Sequence, residues 1–400
     1  MGAVESATST EGTVGVPWRS PVLLAVLAAT LMTPMDVPLV SPVLPEIGAV
    51  FGVAASQAGL FITLYALPGI LLAPGIGALA DRIGRRYVLS GCLVVFGVAG
   101  TAVAFTNDFT VALGLRVLQG FAAGSILSAL AMTVVGDRYD GDQHDSVMGV
   151  TSAMLSLGTA VYPVIGGYLA AWAWNAPFLM YALALPVAAL VFVALDDPDS
   201  SSGVSGRDYV QEALRAVPTD RAVSLYGVMF VSFTLLFGGL YTVLPFYLTE
   251  TFGFTAATVG LVTSTVLLVT GVVSTQNGKL AARTSTTALL AAGFACYAAG
   301  FLAVALANAL PLLVGGLVVF GVGSGLVTPT LFAGISSLAP DHVRAGVMSL
   351  QTTTIGVSQV VGPAVFTLVA GVVGYHATLL GASGGAVVGA GVLGAVTLDA

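Results

Sequence analysis

The feature that most constrains this chain is a succession of apolar runs, each long enough to cross about 30 Å of hydrocarbon as a helix. The runs are continuous rather than alternating, which favours helices over barrel strands, and lipid leaves a backbone few other ways to satisfy its polar groups. The predicted spans are residues 21–44, 57–79, 87–105, 109–135, 146–172, 176–195, 222–246, 256–274, 287–306, 311–335, 345–372 and 376–396. We therefore predict an all-α membrane protein with twelve transmembrane helices.

The scarcity of charge supports a membrane location and excludes several functions. Only 8% of the 400 residues are charged, whereas soluble domains average about a quarter. The net charge of -7 offers no basic face to nucleic acid. Cys92 and Cys296 lie in apolar runs and lack the spacing of metal ligands or of a disulfide framework. The sequence also contains no nucleotide-binding or hydrolytic motif, so we expect no enzyme, metal or cofactor.

The basic residues predict the orientation. Eleven of the twelve precede span 1 or lie in the connections 2–3, 4–5, 6–7, 8–9 and 10–11, on the side of both termini. Because positive charge in short connections stays on the cytoplasmic side, we expect a cell-membrane protein with both termini in the cytoplasm. The exception is Arg116, inside span 4.

A polar stretch at 196–221 divides the spans six and six, and the halves look duplicated. An offset of about 200 positions aligns residues 43–45 with 243–245, Gly120 with Gly321 and Pro163 with Pro363. Halves with an even number of spans insert in the same direction, so the repeat axis should run along the membrane normal. The predicted organisation is a tail at 1–20, a six-helix bundle at 21–195, a cytoplasmic linker at 196–221 and a second bundle at 222–400.

The connection between spans 2 and 3 reads GALADRIGRR, residues 77–86. Its two glycines permit a tight turn, and it resembles the signature loop of the major facilitator superfamily. The resemblance implies that Asp81 caps the N-terminal end of span 11 and that Arg85 meets Asp137, which together would latch the cytoplasmic side. Alternatively, the arginines only set the topology. The latch residues would be Gly77, Asp81, Arg82, Gly84, Arg85, Arg86 and Asp137.

Span 4 contains LGLRVLQG, residues 113–120, which resembles a second motif of the same superfamily and puts Arg116 and Gln119 on one face. An unpartnered guanidinium in hydrocarbon costs about 3 kcal/mol or more. The expected partner is Asp36, whose segment MDVPLVSPVLP resembles the span 1 motif of drug:proton antiporters, with Pro38 and Ser41 as departures. Helix rise puts Asp36 roughly 13 Å, and Arg116 roughly 10 Å, below the outer ends of their spans.

Asp36 is the only carboxylate that the spans put in mid-helix. Burial and a neighbouring guanidinium act on its proton affinity in opposite directions, so Asp36 beside Arg116 could exchange a proton near physiological pH. This predicts a proton-coupling pair. The alternative is a permanent ion pair that locks span 1 to span 4.

Span 5 reads GVTSAMLSLGTAVYPVIGG, residues 149–167, and resembles the antiporter motif of drug exporters, with Tyr162 in place of one glycine. The matching positions are Gly149, Gly158, Pro163, Gly166 and Gly167. We expect close contact with a helix of the other half and a bend at Pro163. Ordinary packing of small residues is the alternative.

These resemblances imply a secondary transporter that works by alternating access, exporting hydrophobic or amphipathic compounds in exchange for protons. Candidate cavity residues are Gln119, Tyr241, Gln351 and Gln359. The expected partners are the small-molecule substrate, protons and the lipid bilayer, with the chain acting as a monomer. Two alternatives remain open: a proton-coupled importer or facilitator of a neutral metabolite, and a membrane sensor that does not transport.

Overall fold

The computed structural model describes residues 16–122, 124–196, 219–338 and 344–398, which form helices and turns without a strand. Within these residues, nine helices are long and apolar enough to cross a membrane, and three shorter apolar helices accompany them. The chain is therefore a multi-pass helical membrane protein. The greater part of the predicted linker at 196–221 lies outside the described residues.

The helices before the linker lie within or close to the predicted apolar runs. They are α1 (Pro21–Met32), α2 (Leu44–Phe51), α3 (Ala55–Ala58), α4 (Leu60–Ile83), α5 (Arg85–Ala102), α6 (Phe109–Gly120), α7 (Gly124–Arg138), α8 (Gly141–Ala170), α9 (Ala176–Leu179) and α10 (Ala184–Ala194). After the linker follow α11 (Thr219–Thr234), α12 (Leu244–Phe252), α13 (Ala256–Ala281), α14 (Thr286–Ala305), α15 (Leu310–Ser336) and α16 (Arg344–Leu398).

The first predicted span is not one continuous helix, which corrects the prediction. Between α1 and α2 the chain forms a 3₁₀ segment at Thr33–Met35, turns at 36–40 and a second 3₁₀ segment at Ser41–Val43. Prolines at 34, 38 and 42 cause this interruption, because each lacks an N–H donor and its ring collides with the preceding helical turn. Asp36 therefore lies in a turn rather than in a helix.

Two other predicted spans depart from regular α-helix. Predicted span 4 divides into α6 and α7 beyond Gly120, where a Cβ would collide with the carbonyl oxygen of Tyr65 on α4. Predicted span 7 contains a π-helix at Leu235–Val243, between α11 and α12. The wider turn brings the Thr242 hydroxyl close to the carbonyl of Phe237, five residues earlier, to which it donates at 2.7 Å. π-Helical turns occur frequently at functional sites.

The last helix, α16, combines predicted spans 11 and 12. Its run is interrupted at Gly374, whose φ of 84° and ψ of 163° are not helical. An L side chain rarely adopts this φ, so glycine permits the reversal between the two parts. The predicted connection at 373–375 falls at this kink.

Buried apolar side chains form two clusters. One draws mainly on residues 22–195 and the other on residues 222–386. Tyr241, Phe246 and Ala256 from beyond the linker join the first cluster. Helix α8 packs along α13, and α4 packs along α16, and these are the most extensive contacts between the parts of the chain before and after the linker.

Candidate functional site

Asp36 lies at the junction between the two parts of the chain. Its Oδ1 accepts the N–H of Val37 at 2.7 Å, and its Oδ2 accepts Nε2 of Gln359 at 3.4 Å. Gln359 belongs to α16, so the carboxylate reaches across from the interrupted first span to the last helix. Asp36 as a whole residue is partly exposed.

Arg116 on α6 is fully buried and well supplied with acceptors. Its Nε donates to the carbonyl of Phe61 at 3.0 Å, and Nη1 donates to Oε1 of Gln119 at 2.6 Å and to the hydroxyl of Tyr181 at 3.3 Å. The guanidinium also lies over the ring of Tyr65, 4.4 Å from its centroid. These contacts offset much of the cost of placing the charge among apolar helices.

Arg116 meets Asp36 through the main chain rather than through the carboxylate. Its Nη2 donates to the carbonyl oxygen of Asp36 at 3.2 Å. Within the described residues Arg85 forms an ion pair with Asp137, whereas the carboxylate of Asp36 and the guanidinium of Arg116 form none, so the expected pair between these two side chains is absent. The cause is the proline-broken turn, which presents the carbonyl of Asp36 to α6 while its side chain contacts α16.

Tyr181 completes the cluster, and the sequence analysis missed it. Its hydroxyl donates to the carbonyl of Met35 at 2.7 Å while it accepts from Arg116. The segment has no motif around this residue, and the only available signal was a polar tip inside an apolar span. Gln119 also belongs here: its Nε2 donates to the carbonyl of Phe96 at 3.3 Å, and it is completely buried. It supports Arg116 rather than lining an open cavity.

The remaining cavity candidates occupy different environments. Tyr241 is 3% exposed, and its carbonyl accepts the Ser41 hydroxyl at 2.6 Å across the junction. Gln351 is 7% exposed, and within the described residues its Oε1 has no hydrogen-bond partner. Of the four candidates, only Gln359 bonds the Asp36 side chain.

The predicted motif of span 5 lies on α8 and touches two neighbours. A Cβ on Gly158 would lie 2.7 Å from Cγ of Pro34, and one on Gly166 would collide with the carbonyl of Leu39. These two glycines therefore face the interrupted first span.

Gly167 and Pro163 face α13. A Cβ on Gly167 would collide with the carbonyl of Ala256, and one on Gly260 would collide with the carbonyl of Pro163. By contrast, a Cβ on Gly149 would have nothing within 4 Å. Helices α8 and α13 are thus in backbone contact at one end only, which we call the closed seam, defined by Pro163, Gly167, Ala256 and Gly260.

The predicted latch is described only in part. Arg85 pairs with Asp137 at the end of α7, and its Nη1 donates to the carbonyl of Thr133 at 3.4 Å. Gly84 joins α4 to α5 with a φ of 98°, which L side chains rarely adopt. The guanidinium of Arg86 lies 4.0 Å from the ring centroid of Phe192, and Arg82 is exposed. Gly77 lies within α4, and the side chains of Asp81 and Ala345 are outside what the structure describes.

The family model for the Major Facilitator Superfamily matches residues 26–256 and 225–399. Among curated relatives, the bacillibactin exporter of Bacillus subtilis is 30% identical over 163 residues, which cover 39% of this chain and 40% of the relative. The quinolone resistance protein NorA of Staphylococcus aureus is 29% identical over 170 residues, covering 42% of this chain and 43% of NorA. The chain thus spans about two fifths of the length of these relatives.

Solved structures cover nearly the whole chain. The human organic anion transporter MFSD10 superimposes with a TM-score of 0.66 at 21% identity, covering 93% of this chain and 98% of that one. The nucleoside transporter NupG superimposes with a TM-score of 0.79 at 12% identity, covering 94% and 99%. Identities this low show the fold alone. Since the family model matches residues on both sides of the linker and these transporters share the fold, the chain belongs to the Major Facilitator Superfamily.

Proposed function

We propose that the protein is a secondary active transporter that exports hydrophobic or amphipathic small molecules in exchange for protons. The observation that carries the proposal is Asp36: its carboxylate is hydrogen-bonded across the junction to Gln359 and makes no ion pair with Arg116, which donates to its main-chain carbonyl instead. A carboxylate that retains its titratable oxygens at such a junction suits a proton carrier. Arg116 holds the main chain of Asp36 in position and places positive charge nearby.

The relatives support a hydrophobic or amphipathic cargo. Their names describe export of bacillibactin and quinolone resistance. The described junction also presents few charges to a substrate, because Tyr241, Gln351 and Gln359 are neutral. We propose these three residues as substrate contacts and assign Gln119 to the support of Arg116.

Alternating access would follow from twelve spans in two six-helix bundles, with both termini in the cytoplasm and the protein acting as a monomer in the cell membrane. In this orientation the closed seam lies at the outer end, because it is remote from the arginine-bearing connections. Gly149 and Gly271, toward the inner ends of α8 and α13, have open space where a Cβ would be. The described conformation then corresponds to an inward-open transporter, and the Arg85–Asp137 pair anchors the latch loop.

Transport by Asp36→Asn tests the proton-carrier role. The amide keeps the size of the side chain but cannot take up a proton. We expect the variant to insert and to bind substrate, while proton-driven transport falls to the level of vesicles without the protein. The assay is accumulation of toxic hydrophobic compounds, a quinolone included, in everted vesicles with an acidified lumen. Unchanged pH-driven accumulation by Asp36→Asn would refute the role.

Direction distinguishes export from the proton-coupled import that the same fold and the same carboxylate would allow. Everted vesicles that accumulate the compound when their lumen is acidified support export. Uptake of a neutral metabolite by right-side-out vesicles under an inward proton gradient would instead support the importer.

A further inference from the structure

We propose that Gln359 is a positioning residue whose hydrogen bond depends on the charge of Asp36. This hydrogen bond prevents the empty, deprotonated transporter from changing conformation. This inference rests on the proposed proton exchange and gives α16 a role in coupling, beyond contact with substrate. The structural basis is the hydrogen bond from Nε2 of Gln359 to Oδ2 of Asp36, which joins residues 323 positions apart in sequence.

Both oxygens of Asp36 face donors. Oδ1 accepts the N–H of Val37 at 2.7 Å and Oδ2 accepts Gln359 at 3.4 Å. Protonation neutralises the carboxylate and converts one of its oxygens into a hydroxyl, so both hydrogen bonds lose their charge assistance and are weakened. The contact to Gln359 is the longer one and involves a mobile side chain, whereas the N–H of Val37 is fixed in the adjacent turn. Protonation is thus expected to release Gln359.

No other described side chain offers Asp36 the same connection to the second half. Arg116 donates to the carbonyl of Asp36, and Tyr181 bonds Arg116 and the carbonyl of Met35. Tyr241, the nearby residue from the second half, contacts Ser41 through its main-chain carbonyl. None of these hydrogen bonds is made to the carboxylate of Asp36, so Gln359 is the side chain from the second half whose hydrogen bond changes with the proton.

The consequence for coupling follows from the transport cycle. An antiporter must not change conformation while it is both empty and deprotonated, since a carrier that does so returns without cargo and leaks protons. A hydrogen bond from Gln359 to charged Asp36 stabilises the conformation with the closed seam in that state. Proton binding, or a substrate group that occupies Oδ2, removes the hydrogen bond and permits the change.

Two variants of Gln359 separate this role from simple packing. Gln359→Met keeps the volume and removes the donor, so the empty transporter should leak protons. Gln359→Glu places a second carboxylate opposite Asp36: the two repel when both are charged and share a proton at lower pH. Its preference for the closed seam should therefore increase on acidification, opposite to wild type. Thr354→Val is the control on α16, because its hydroxyl bonds only the Leu350 carbonyl of its own helix.

The readouts are proton leak and conformation. Purified protein in liposomes containing a pH-sensitive dye reports proton entry without substrate. Spin labels at Val50 and Leu306, exposed positions on opposite sides of the junction, report the population of the closed seam across a pH series. Serines replace Cys92 and Cys296 in all these proteins. Loss of one charge-assisted hydrogen bond should lower the closed-to-open ratio of Gln359→Met about tenfold to 150-fold at alkaline pH.

The outcomes separate the inference from the proposed function. A wild type that shows no substrate-dependent proton movement refutes the proposed function itself. If the wild type couples protons to substrate, but Gln359→Met leaks no more protons than wild type and shows the wild-type pH response, only the role of Gln359 is overturned. Leak in Gln359→Met together with the reversed pH response of Gln359→Glu, neither seen in Thr354→Val, supports it.

Discussion

Alanine at Gly167 should disfavour the conformation in which α8 and α13 touch. The added Cβ would collide with the carbonyl oxygen of Ala256, and would lie 2.9 Å from the carbonyl carbon of Ala256 and 3.1 Å from Cα of Ala257. Because these neighbours are backbone atoms at the start of α13, rotation of a side chain cannot relieve the overlap. The helices must move apart until the contacts reach the ordinary 3.4–4 Å.

The size of the effect follows from the cost of overpacking. Forcing one extra methyl group into a close-packed contact costs about 1–3 kcal/mol. In the alternative conformation the seam is open and the methyl group is free, so this cost falls on one state only. The ratio of closed to open molecules should therefore fall about fivefold to 150-fold.

Distance measurements test this expectation. With the Val50 and Leu306 label pair, Gly167→Ala should shift the distribution toward the longer outer distance. Gly149→Ala is a matched control, since it makes the same substitution on the same helix where a Cβ has nothing within 4 Å. Equal distributions for wild type and a folded Gly167→Ala protein would refute the reasoning, as would an equal shift in Gly149→Ala.

Two further predictions concern the charged groups. Arg116→Lys replaces the five N–H donors of a planar guanidinium with the three of an ammonium and leaves Gln119 or Tyr181 without its donor, so the free energy of unfolding should fall by about 2–4 kcal/mol. Thermal unfolding in detergent measures this, and an unchanged transition would contradict the network. The Arg85–Asp137 pair, with side chains 18% and 40% exposed, should contribute about 1 kcal/mol or less. A double-mutant cycle measures that coupling, and a value well above it would show that the pair is better shielded than its exposure indicates.

The sequence predicted helix positions well where hydrophobic length decides the structure. Helix α14, at Thr286–Ala305, differs from the predicted 287–306 by one residue at each end. The prediction was wrong where local backbone chemistry overrides hydropathy. The prolines of the first span interrupt it, and predicted span 4 divides into α6 and α7 beyond Gly120, where α4 approaches closely.

The site was predictable in composition and less so in geometry. Helix rise brought Asp36 and Arg116 to similar depths, and the structure joins them by a hydrogen bond. Arg116 contacts the carbonyl of Asp36 because of the conformation of the turn, and the periodicity of apolar residues in the sequence does not reveal that conformation. The contact of Gln359 with Asp36 depends on how the two halves meet, and the packing of helices from distant parts of the chain is not encoded in any local pattern.

The repeat also explains why release of Gln359 should act on one side of the junction. The offset of about 200 residues makes Gly59 the counterpart of Gly260, and Thr367 the counterpart of Gly167. In the closed seam, Gly167 and Gly260 each lie against a backbone carbonyl of the opposite helix. On the opposite side, a Cβ on Gly59 would meet Cγ2 of Thr367 at 3.2 Å.

A methyl group at the end of a rotatable side chain can move aside, whereas a backbone carbonyl cannot. The contact between α4 and α16 is therefore more deformable than the closed seam between α8 and α13. That side is joined by the hydroxyl of Thr63, which donates to the carbonyl of Val360 at 3.4 Å. Gln359 immediately precedes Val360 on α16. Loss of its hydrogen bond frees α16 from the interrupted first span beside the helix pair that resists separation least, and the opening of the outer end should begin between α4 and α16.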